Sequence, residues 1–174
     1  MDRTTATNGK KAPKIPALEM IGLDATDLAL LTSLQEQGRT KRNELAEQVG
    51  LSLPAVSERM RKLEERGILQ GVHAKLDPKL VGLDVAVFIT VTVESSSMYP
   101  DFLQAAKQHP EILEIHAITG EGSHLIKART WNTSTLERLL SQIQQFPGVR
   151  QTRTNVVLST YKETSALPIE ELSP

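Results

Sequence analysis

The sequence predicts an α+β protein: an N-terminal helix-turn-helix domain, winged-helix-like, followed by a C-terminal ferredoxin-like βαββαβ sandwich. Three observations support this fold class. Two short amphipathic helices joined by a tight turn lie between Asn43 and Leu69, a β-branched alternating run extends from Val85 to Val93, and the second half contains a weak internal repeat. Helical periodicity gives way to strand periodicity along the chain, which is typical of consecutive domains.

The first helix is predicted from Asp24, which has Asp27 three residues later as a capping partner. Leucines at helical spacing continue it to Gly38. The preceding residues 1–18 lack periodicity and predict a disordered arm. Thr40 is the expected cap of the second helix, directly before Lys41.

The turn between the second and third helices carries the strongest local signals. Gly50 is suited to the left-handed conformation that ends a helix, Ser52 is a good cap for the next one, and Pro54 is tolerated in a first turn. On the third helix one arc is apolar and the opposite arc is polar, which separates a core face from a face able to enter a DNA groove. The core arc contains Leu53, Val56, Met60 and Leu63; the opposite arc contains Pro54, Glu58, Arg61 and Glu65, flanked by Ala55, Ser57 and Lys62.

An ordinary surface helical hairpin with a solvated charged face is the alternative for this stretch, because helix-turn-helix patterns also arise by chance. The formal net charge of −1 does not by itself indicate nucleic-acid binding. Basic residues nevertheless exceed acidic ones between Arg39 and Arg66. A monomer would gain little from this excess, whereas a dimer doubles the number of contacts.

The second half reads as two strand-helix-strand units. A strand from Ile68 to Leu76 is expected to leave the helical domain, with a hinge at Asp77-Pro78 and Gly82. A shift of 37 residues aligns the two halves, and Ser134 with Glu137 forms the expected capping box of the last helix. The predicted elements are strands 85–94, 112–118, 123–131 and 149–160, and helices 100–108 and 135–146. Helices cover only one face of such a sheet, so the apolar content of the other face predicts a partner.

The chain resembles the Lrp/AsnC (feast/famine) regulators over about residues 21–162. The N-terminal resemblance rests on Gly22-Leu23-Asp24, Gly38-Arg39, Glu44-Leu45-Ala46, Val49-Gly50-Leu51-Ser52, Leu63-Glu64 and Gly67-Ile68. The C-terminal resemblance rests on Leu76-Asp77, Gly82, Ile118-Thr119-Gly120, Leu125-Ile126-Lys127, Leu139-Leu140 and Phe146-Pro147-Gly148-Val149. It implies five segments: an arm (1–18), a helix-turn-helix DNA-binding domain (19–70), a linker strand and hinge (71–82), a ligand-sensing and oligomerisation domain (83–162) and a tail (163–174).

The resemblance implies a transcriptional regulator that binds double-stranded DNA as a homodimer and assembles further into tetramers or octamers. For DNA contact the matching positions and the exposed helical face give Thr40, Lys41, Arg42, Ser52, Pro54, Ala55, Ser57, Glu58, Arg59, Arg61 and Lys62, with Arg59 alternatively bracing the domain through an internal ion pair. For a small-molecule effector they give Thr119, Gly120, Glu121, Gly122, Ser123 and His124. The family commonly has an acidic residue and then an aromatic one where Ser123 and His124 stand. We therefore expect altered or absent amino-acid binding, with takeover by Glu121 as the alternative.

No catalytic constellation, cofactor motif or metal-ligand spacing is found, and we expect a non-enzyme without cofactors. His116 and His124 are expected on neighbouring strands and could face each other. An alternative function comes from the sirohaem decarboxylases, enzymes of similar architecture, but their histidine-tyrosine-arginine cluster is not found. The absence of cysteine and of any export or membrane-spanning run leads us to expect a cytoplasmic protein.

Overall fold

A computed structural model describes residues 22–169 of the chain, which divides into two compact units. Of the described residues, 22–74 together with 164–169 form one unit, and 75–163 form the other. The arm predicted for residues 1–18 lies outside the described residues.

The helical unit contains α1 (Ala25–Glu36), α2 (Arg42–Val49) and α3 (Leu53–Glu65). The capping pair predicted for α1 is confirmed. The Asp27 N–H donates to Asp24 Oδ1 at 2.8 Å, and the Asp24 N–H donates to Asp27 Oδ2 at 3.3 Å. These reciprocal bonds satisfy two amides that a helix start would otherwise leave unpaired.

The turn between α2 and α3 has the predicted chemistry. Gly50 ends α2 with a φ of 66°, a left-handed conformation that glycine adopts readily. The Ser52 side chain accepts a hydrogen bond from the Ala55 N–H at 3.4 Å and so caps α3. The buried core of the three helices includes Leu30, Leu45, Val56, Met60 and Leu63.

Two local predictions in this unit are wrong. Thr40 does not cap α2, because its hydroxyl donates to the Gln37 carbonyl at 2.8 Å and closes the preceding turn instead. The cap position belongs to Lys41, whose N–H donates to Glu44 Oε2 at 3.3 Å. Leu53 is not a core residue; it is the first residue of α3, at the edge of the helical core, and 48% of its surface is exposed.

The strand predicted from Ile68 to Leu76 is not formed within residues 22–169. Extended chain becomes a strand only where a neighbour exchanges backbone hydrogen bonds with it. Residues 70–76 form no such ladder with the described part of the chain. The hinge that follows is ordered, with Asp77 Oδ1 accepting from the Lys79 N–H at 2.9 Å.

The second unit is a four-stranded antiparallel sheet with the order β2-β3-β1-β4, as the predicted ferredoxin-like sandwich requires. Its strands are β1 (Val85–Val93), β2 (Ile112–Ala117), β3 (His124–Thr130) and β4 (Val149–Val156). Its helices are α4 (Tyr99–Lys107), preceded by a short 3₁₀ turn (Ser96–Met98), and α5 (Thr133–Gln144).

The core of this unit lies between the helices and one face of the sheet. The odd-numbered residues of β1 from Val87 to Val93 are buried there, as are Ile126 and Ala128 of β3. The internal repeat is confirmed in the burial of its matching positions: Phe102 corresponds to Leu139 and Ala106 to Ile143, and all four are fully buried.

Several boundaries in the sheet unit differ from prediction, and hydrogen bonds explain two of them. Helix α5 begins two residues earlier than predicted, because Asn132 Oδ1 accepts from the Thr135 N–H at 3.0 Å and Thr135 Oγ1 accepts from the Asn132 N–H at 3.0 Å. This pair forms the capping box, so Ser134 lies inside the helix. Strand β4 ends at Val156 rather than Thr160: one further bond, from the Val157 N–H to the Ala86 carbonyl at 2.9 Å, continues the pairing, and in this register Ser159 and Thr160 lie past the start of β1 at Val85.

Candidate nucleic-acid interface and effector loop

The polar arc of α3 is exposed to solvent, whereas Val56, Met60 and Leu63 on the opposite arc are buried. Pro54, Glu58, Arg61, Lys62 and Glu65 are all exposed, and Ala55 and Ser57 are partly buried at the margins. The helical unit therefore presents an ordered polar helix surface, held from behind by a hydrophobic core.

Arg61 is paired along this surface with two carboxylates of its own helix. Its Nε and Nη2 donate to the two carboxylate oxygens of Glu58 at 2.9 and 2.6 Å, and its Nη1 donates to Glu65. These hydrogen bonds raise the pKa of the Arg61 guanidinium, and the Arg61 bond lowers the pKa of Glu58. The Nζ of Lys62 also lies 3.7 Å from Glu58 Oε1. We call Glu58, Arg61 and Glu65 the arginine clamp.

Arg59 points away from this arrangement and pairs with α1. Its Nη1 donates to Asp24 at 2.7 Å and to Asp27 at 2.8 Å, which ties α3 to the start of α1. The hydrogen bonds that Arg59 donates to Asp27 and Asp24 raise the pKa of its guanidinium. The structure thus shows the internal ion pair that the sequence left open for Arg59. A phosphate contact by Arg59 stays a prediction, and it would require this pair to open.

Basic groups lie at the start of α2, before the turn into α3. Lys41 is the cap residue and Arg42 the first residue of the helix, and both are exposed. Thr40 is partly buried, and its hydroxyl is engaged by Gln37. A helix N-terminus with adjacent cations favours an anion such as a phosphate.

In the sheet unit, the loop Thr119–Ser123 is tied to the end of β1. The Ser123 N–H and hydroxyl donate to the Val91 carbonyl at 2.8 and 3.1 Å, and Ser123 Oγ accepts from the Val93 N–H at 3.1 Å. Gly122 has a φ of 80°, and a Cβ there would lie 2.5 Å from the Thr90 side chain. Ser123 is therefore occupied in holding the loop against the sheet.

His124 is buried in the core of the sheet unit. Its ring lies 4.8 Å from that of Tyr99 and 4.9 Å from that of Phe102, and burial lowers the pKa of its imidazole. The expectation that His116 could face His124 is wrong. His116 is exposed and pairs with Leu125, so the two imidazoles lie on opposite faces of the sheet.

Glu121 pairs with Arg153 of β4 beside a cavity of about 250 Å³. Thr90, Thr92, Gly122 and Gln151 line the same cavity. The sequence analysis did not find Arg153, Thr90 or Gln151, which come from strands remote in sequence. Only the register of the two strands could have identified them, because Arg153 lies opposite Thr90 once β4 is paired with β1.

Within residues 22–169 no group of three or more histidine or acidic side chains is arranged to hold a metal ion. None of the helices in that range has the length and apolar character needed to cross a bilayer.

Comparisons with known proteins match both units. A family model for winged helix-turn-helix DNA-binding domains matches residues 23–70, and one for Lrp/AsnC ligand-binding domains matches residues 86–167. The HTH-type transcriptional regulator FL11 of Pyrococcus horikoshii is 35% identical over 150 residues, covering 86% of this chain and 99% of that protein. The leucine-responsive regulatory protein of Escherichia coli is 34% identical over 151 residues, covering 85% and 92%.

Solved structures with the same fold include a transcriptional regulator of Neisseria meningitidis in complex with L-methionine. It has a TM-score of 0.80 and 33% identity, covering 87% of this chain and 99% of that one. AsnC of Escherichia coli has a TM-score of 0.76 and 30% identity, covering 83% and 97%.

Proposed function

Because the chain belongs to the Lrp/AsnC family of helix-turn-helix transcriptional regulators, we propose that α3 reads a specific DNA sequence and that a small molecule at the loop Thr119–His124 adjusts this binding. The observation that carries the proposal is the exposed polar arc of α3, ordered by a buried apolar arc on its other side. An α-helix with this division fits the major groove, where base edges are distinguishable.

The arginine clamp supplies the groups for base reading. Arginine pairs with the O6 and N7 acceptors of guanine, and glutamate accepts from the amino group of cytosine. Arg61 leaves Glu58 and Glu65 when it reaches a base, so only a correctly placed guanine replaces the bonds given up. Ser57 is suited to polar base edges, and Pro54 and Ala55 to thymine methyl groups.

The phosphate contacts are assigned to the basic groups around the reading surface. Lys41 and Arg42 lie at the start of α2, where the helix dipole adds to their charge, and Lys62 lies beside the arginine clamp. Thr40 and Ser52 flank these positions with short polar side chains. We expect such contacts to position the protein without selecting a sequence.

Selection of bound fragments from random double-stranded DNA tests sequence-specific binding. The purified full-length protein is incubated with the library, retained DNA is sequenced, and one enriched fragment is compared with a scrambled fragment of equal composition in a gel shift. Enrichment of a shared motif and preferential retention of its fragment are expected. Equal affinity for both fragments at moderate salt would contradict the proposal.

The effector proposal rests on the cavity beside Glu121 and Arg153. The Neisseria relative was solved with L-methionine, which makes amino acids the first compounds to test. A zwitterion could separate Glu121 from Arg153, placing its ammonium on the former and its carboxylate on the latter. Ser123 has no carboxylate, and its hydroxyl is occupied by hydrogen bonds to β1. Both facts support altered amino-acid selectivity or the absence of amino-acid binding.

A homodimer is proposed through the sheet units, with tetramers or octamers built from it. The support is the helix-free sheet face, on which Phe88 and Leu125 lie among the polar side chains of Thr90, Lys127 and Asn155. Two copies would place two α3 helices on one DNA, doubling the contacts.

The enzyme alternative is tested in the same preparation. The family is one of transcriptional regulators, and a regulator acting on DNA is expected in the cytoplasm. Sirohaem is incubated with the protein for hours, and the absorption spectrum and mass of the sirohaem should stay unchanged. Decarboxylated product would establish the enzymatic alternative.

A further inference from the structure

A second cavity, of about 450 Å³, lies on the helical side of the sheet unit, away from the loop Thr119–His124. It is formed where α4 ends, where the chain turns into β2, and along α5. It is a groove wide open to solvent, and its volume falls within the range of about 300–1,000 Å³ of small-molecule sites. Its polar lining consists of Gln108, His109, Glu111, Arg138 and Gln142.

Glu111 is the unusual group of this cavity. Its side chain is only 14% exposed, and its Oε2 accepts from Arg138 Nη2 at 3.1 Å. The other oxygen, Oε1, is buried and accepts no hydrogen bond from any donor in residues 22–169. A buried carboxylate oxygen without a donor is costly and rare in native proteins, so a donor is expected to complete it.

The neighbouring groups define which donor fits. The Glu111 N–H donates to His109 Nδ1 at 3.4 Å, so His109 carries its proton on Nε2 and donates it to Gln142 Oε1 at 2.9 Å. The amide nitrogen of Gln142 stays a donor. Arg138, with 58% of its side chain exposed, is a cation at the mouth. The cavity thus offers one strong acceptor in its depth and donors towards solvent.

We propose that this cavity binds a small zwitterion, with its ammonium group on Glu111 and its carboxylate on Arg138. With 58% of its side chain exposed, Arg138 can turn from Glu111 towards a ligand carboxylate without leaving solvent. Free α-amino acids carry their two charges at this separation. Ala105 and Pro110 form an apolar part of the cavity wall, against which the side chain of an amino acid can pack.

Calorimetric titration of the full-length protein without DNA tests the site. The probes are the twenty L-amino acids, with ethylammonium and acetate as single-charge controls. Binding is measured for the native protein and for Glu111→Gln, Arg138→Gln, Glu121→Gln and Glu137→Gln. Glu137 is the matched control, because it is an exposed carboxylate on α5 next to Arg138 and does not line the cavity.

A saturable amino-acid signal that survives Glu121→Gln and Glu137→Gln but weakens at least about tenfold in Glu111→Gln and Arg138→Gln is expected, since each change removes a charge-assisted hydrogen bond. The single-charge controls should bind far more weakly. No saturable signal, or one lost in Glu121→Gln and unchanged in Glu111→Gln, would overturn the site and leave Oε1 with an ordered water only. A thermal melt of each variant separates lost binding from lost folding. Because DNA is absent, failure here leaves the DNA-reading proposal standing.

Discussion

Arg59 and Arg61 lie two residues apart on α3, yet replacing them should damage different properties. Arg59 bonds Asp24 and Asp27 of the α1 start, and the Asp27 side chain is only 12% exposed. Losing a hydrogen bond to a nearly buried charge costs about 1.5–3 kcal/mol. The exposed Asp24 pair adds only about 0–1 kcal/mol. Because Arg59 is itself one-third exposed, we expect Arg59→Ala to lower the free energy of unfolding of the helical unit by about 2 kcal/mol.

Arg61→Ala is the matched comparison. The arginine clamp is exposed, so its loss should change the free energy of unfolding by less than about 0.5 kcal/mol. Specific DNA binding should instead weaken by about 1–3 kcal/mol and tolerate substitution at one base position, because a bidentate arginine contact carries discrimination. Arg59→Ala should keep the sequence preference of the native protein, measured at a temperature where the variant is folded.

The two units can unfold separately, so a single melting curve is a poor measure of the helical unit. Hydrogen exchange of the α1 and α3 amides in increasing urea reports that unit directly, and fluorescence anisotropy compares specific with scrambled DNA. Equal exchange in the two variants would refute the bracing role of Arg59. Equal loss on both DNA fragments for Arg61→Ala would refute base reading.

Loss of stability in acid gives a second measure of the ion pairs that Arg59 forms with Asp24 and Asp27. Burial alone would raise the pKa of Asp24, but the Asp27 N–H and the Arg59 guanidinium donate to its carboxylate and lower it overall. A carboxyl group with a lowered folded-state pKa stabilises the protein above its unfolded pKa of about 3.9. That stability is lost as the pH falls through the pKa of Asp24 in the folded state. The helical unit should therefore lose stability below about pH 4, and by less in Arg59→Ala.

Three further predictions concern DNA positioning, assembly and the effector. Lys41→Ala should weaken specific and scrambled DNA alike, because the exposed Lys41 at the start of α2 is placed for a phosphate; a change confined to specific DNA in anisotropy would contradict this. Light scattering at micromolar concentration should show a dimer or larger assembly that survives deletion of residues 1–70, and a stable monomer would refute contact through the sheet units. If an amino acid binds beside Arg153, Glu121→Gln made in the Glu111→Gln background should abolish the calorimetric signal that remains; a remaining signal indifferent to changes at both Glu121 and Ser123 would place that site elsewhere.

Periodicity predicted the elements that depend on burial. Val56, Met60 and Leu63 are buried because a 3.6-residue repeat fixes which side chains share a face, and the repeat in the second half predicted both helices and all four strands. Boundaries were less predictable. Asn132 and Ser134 are both good caps, and the choice between them depends on where β3 ends.

The candidate sites depend on pairings that sequence spacing does not contain. Asp24 and Asp27 were recognised as a cap, but their bonds to Arg59 arise only once α3 crosses α1. Likewise Glu121 and Arg153 meet because β4 pairs with β1 in one particular register. Ser123 stands where the resemblance led us to expect an acidic residue, and only the bonds to Val91 and Val93 reveal what it does.

The arginine clamp also affects how this protein responds to ionic strength. A cation that leaves a protein carboxylate to reach DNA brings less net charge to the duplex than a free one, so fewer counterions are released from the phosphates. Glu58 and Glu65 stay beside the groove and repel phosphate on a non-cognate site. The slope of log affinity against log salt should then follow the exposed Lys41 and Arg42 rather than the full number of basic residues near α3. The acidic residues of α3 would thus keep its affinity for random genomic DNA low.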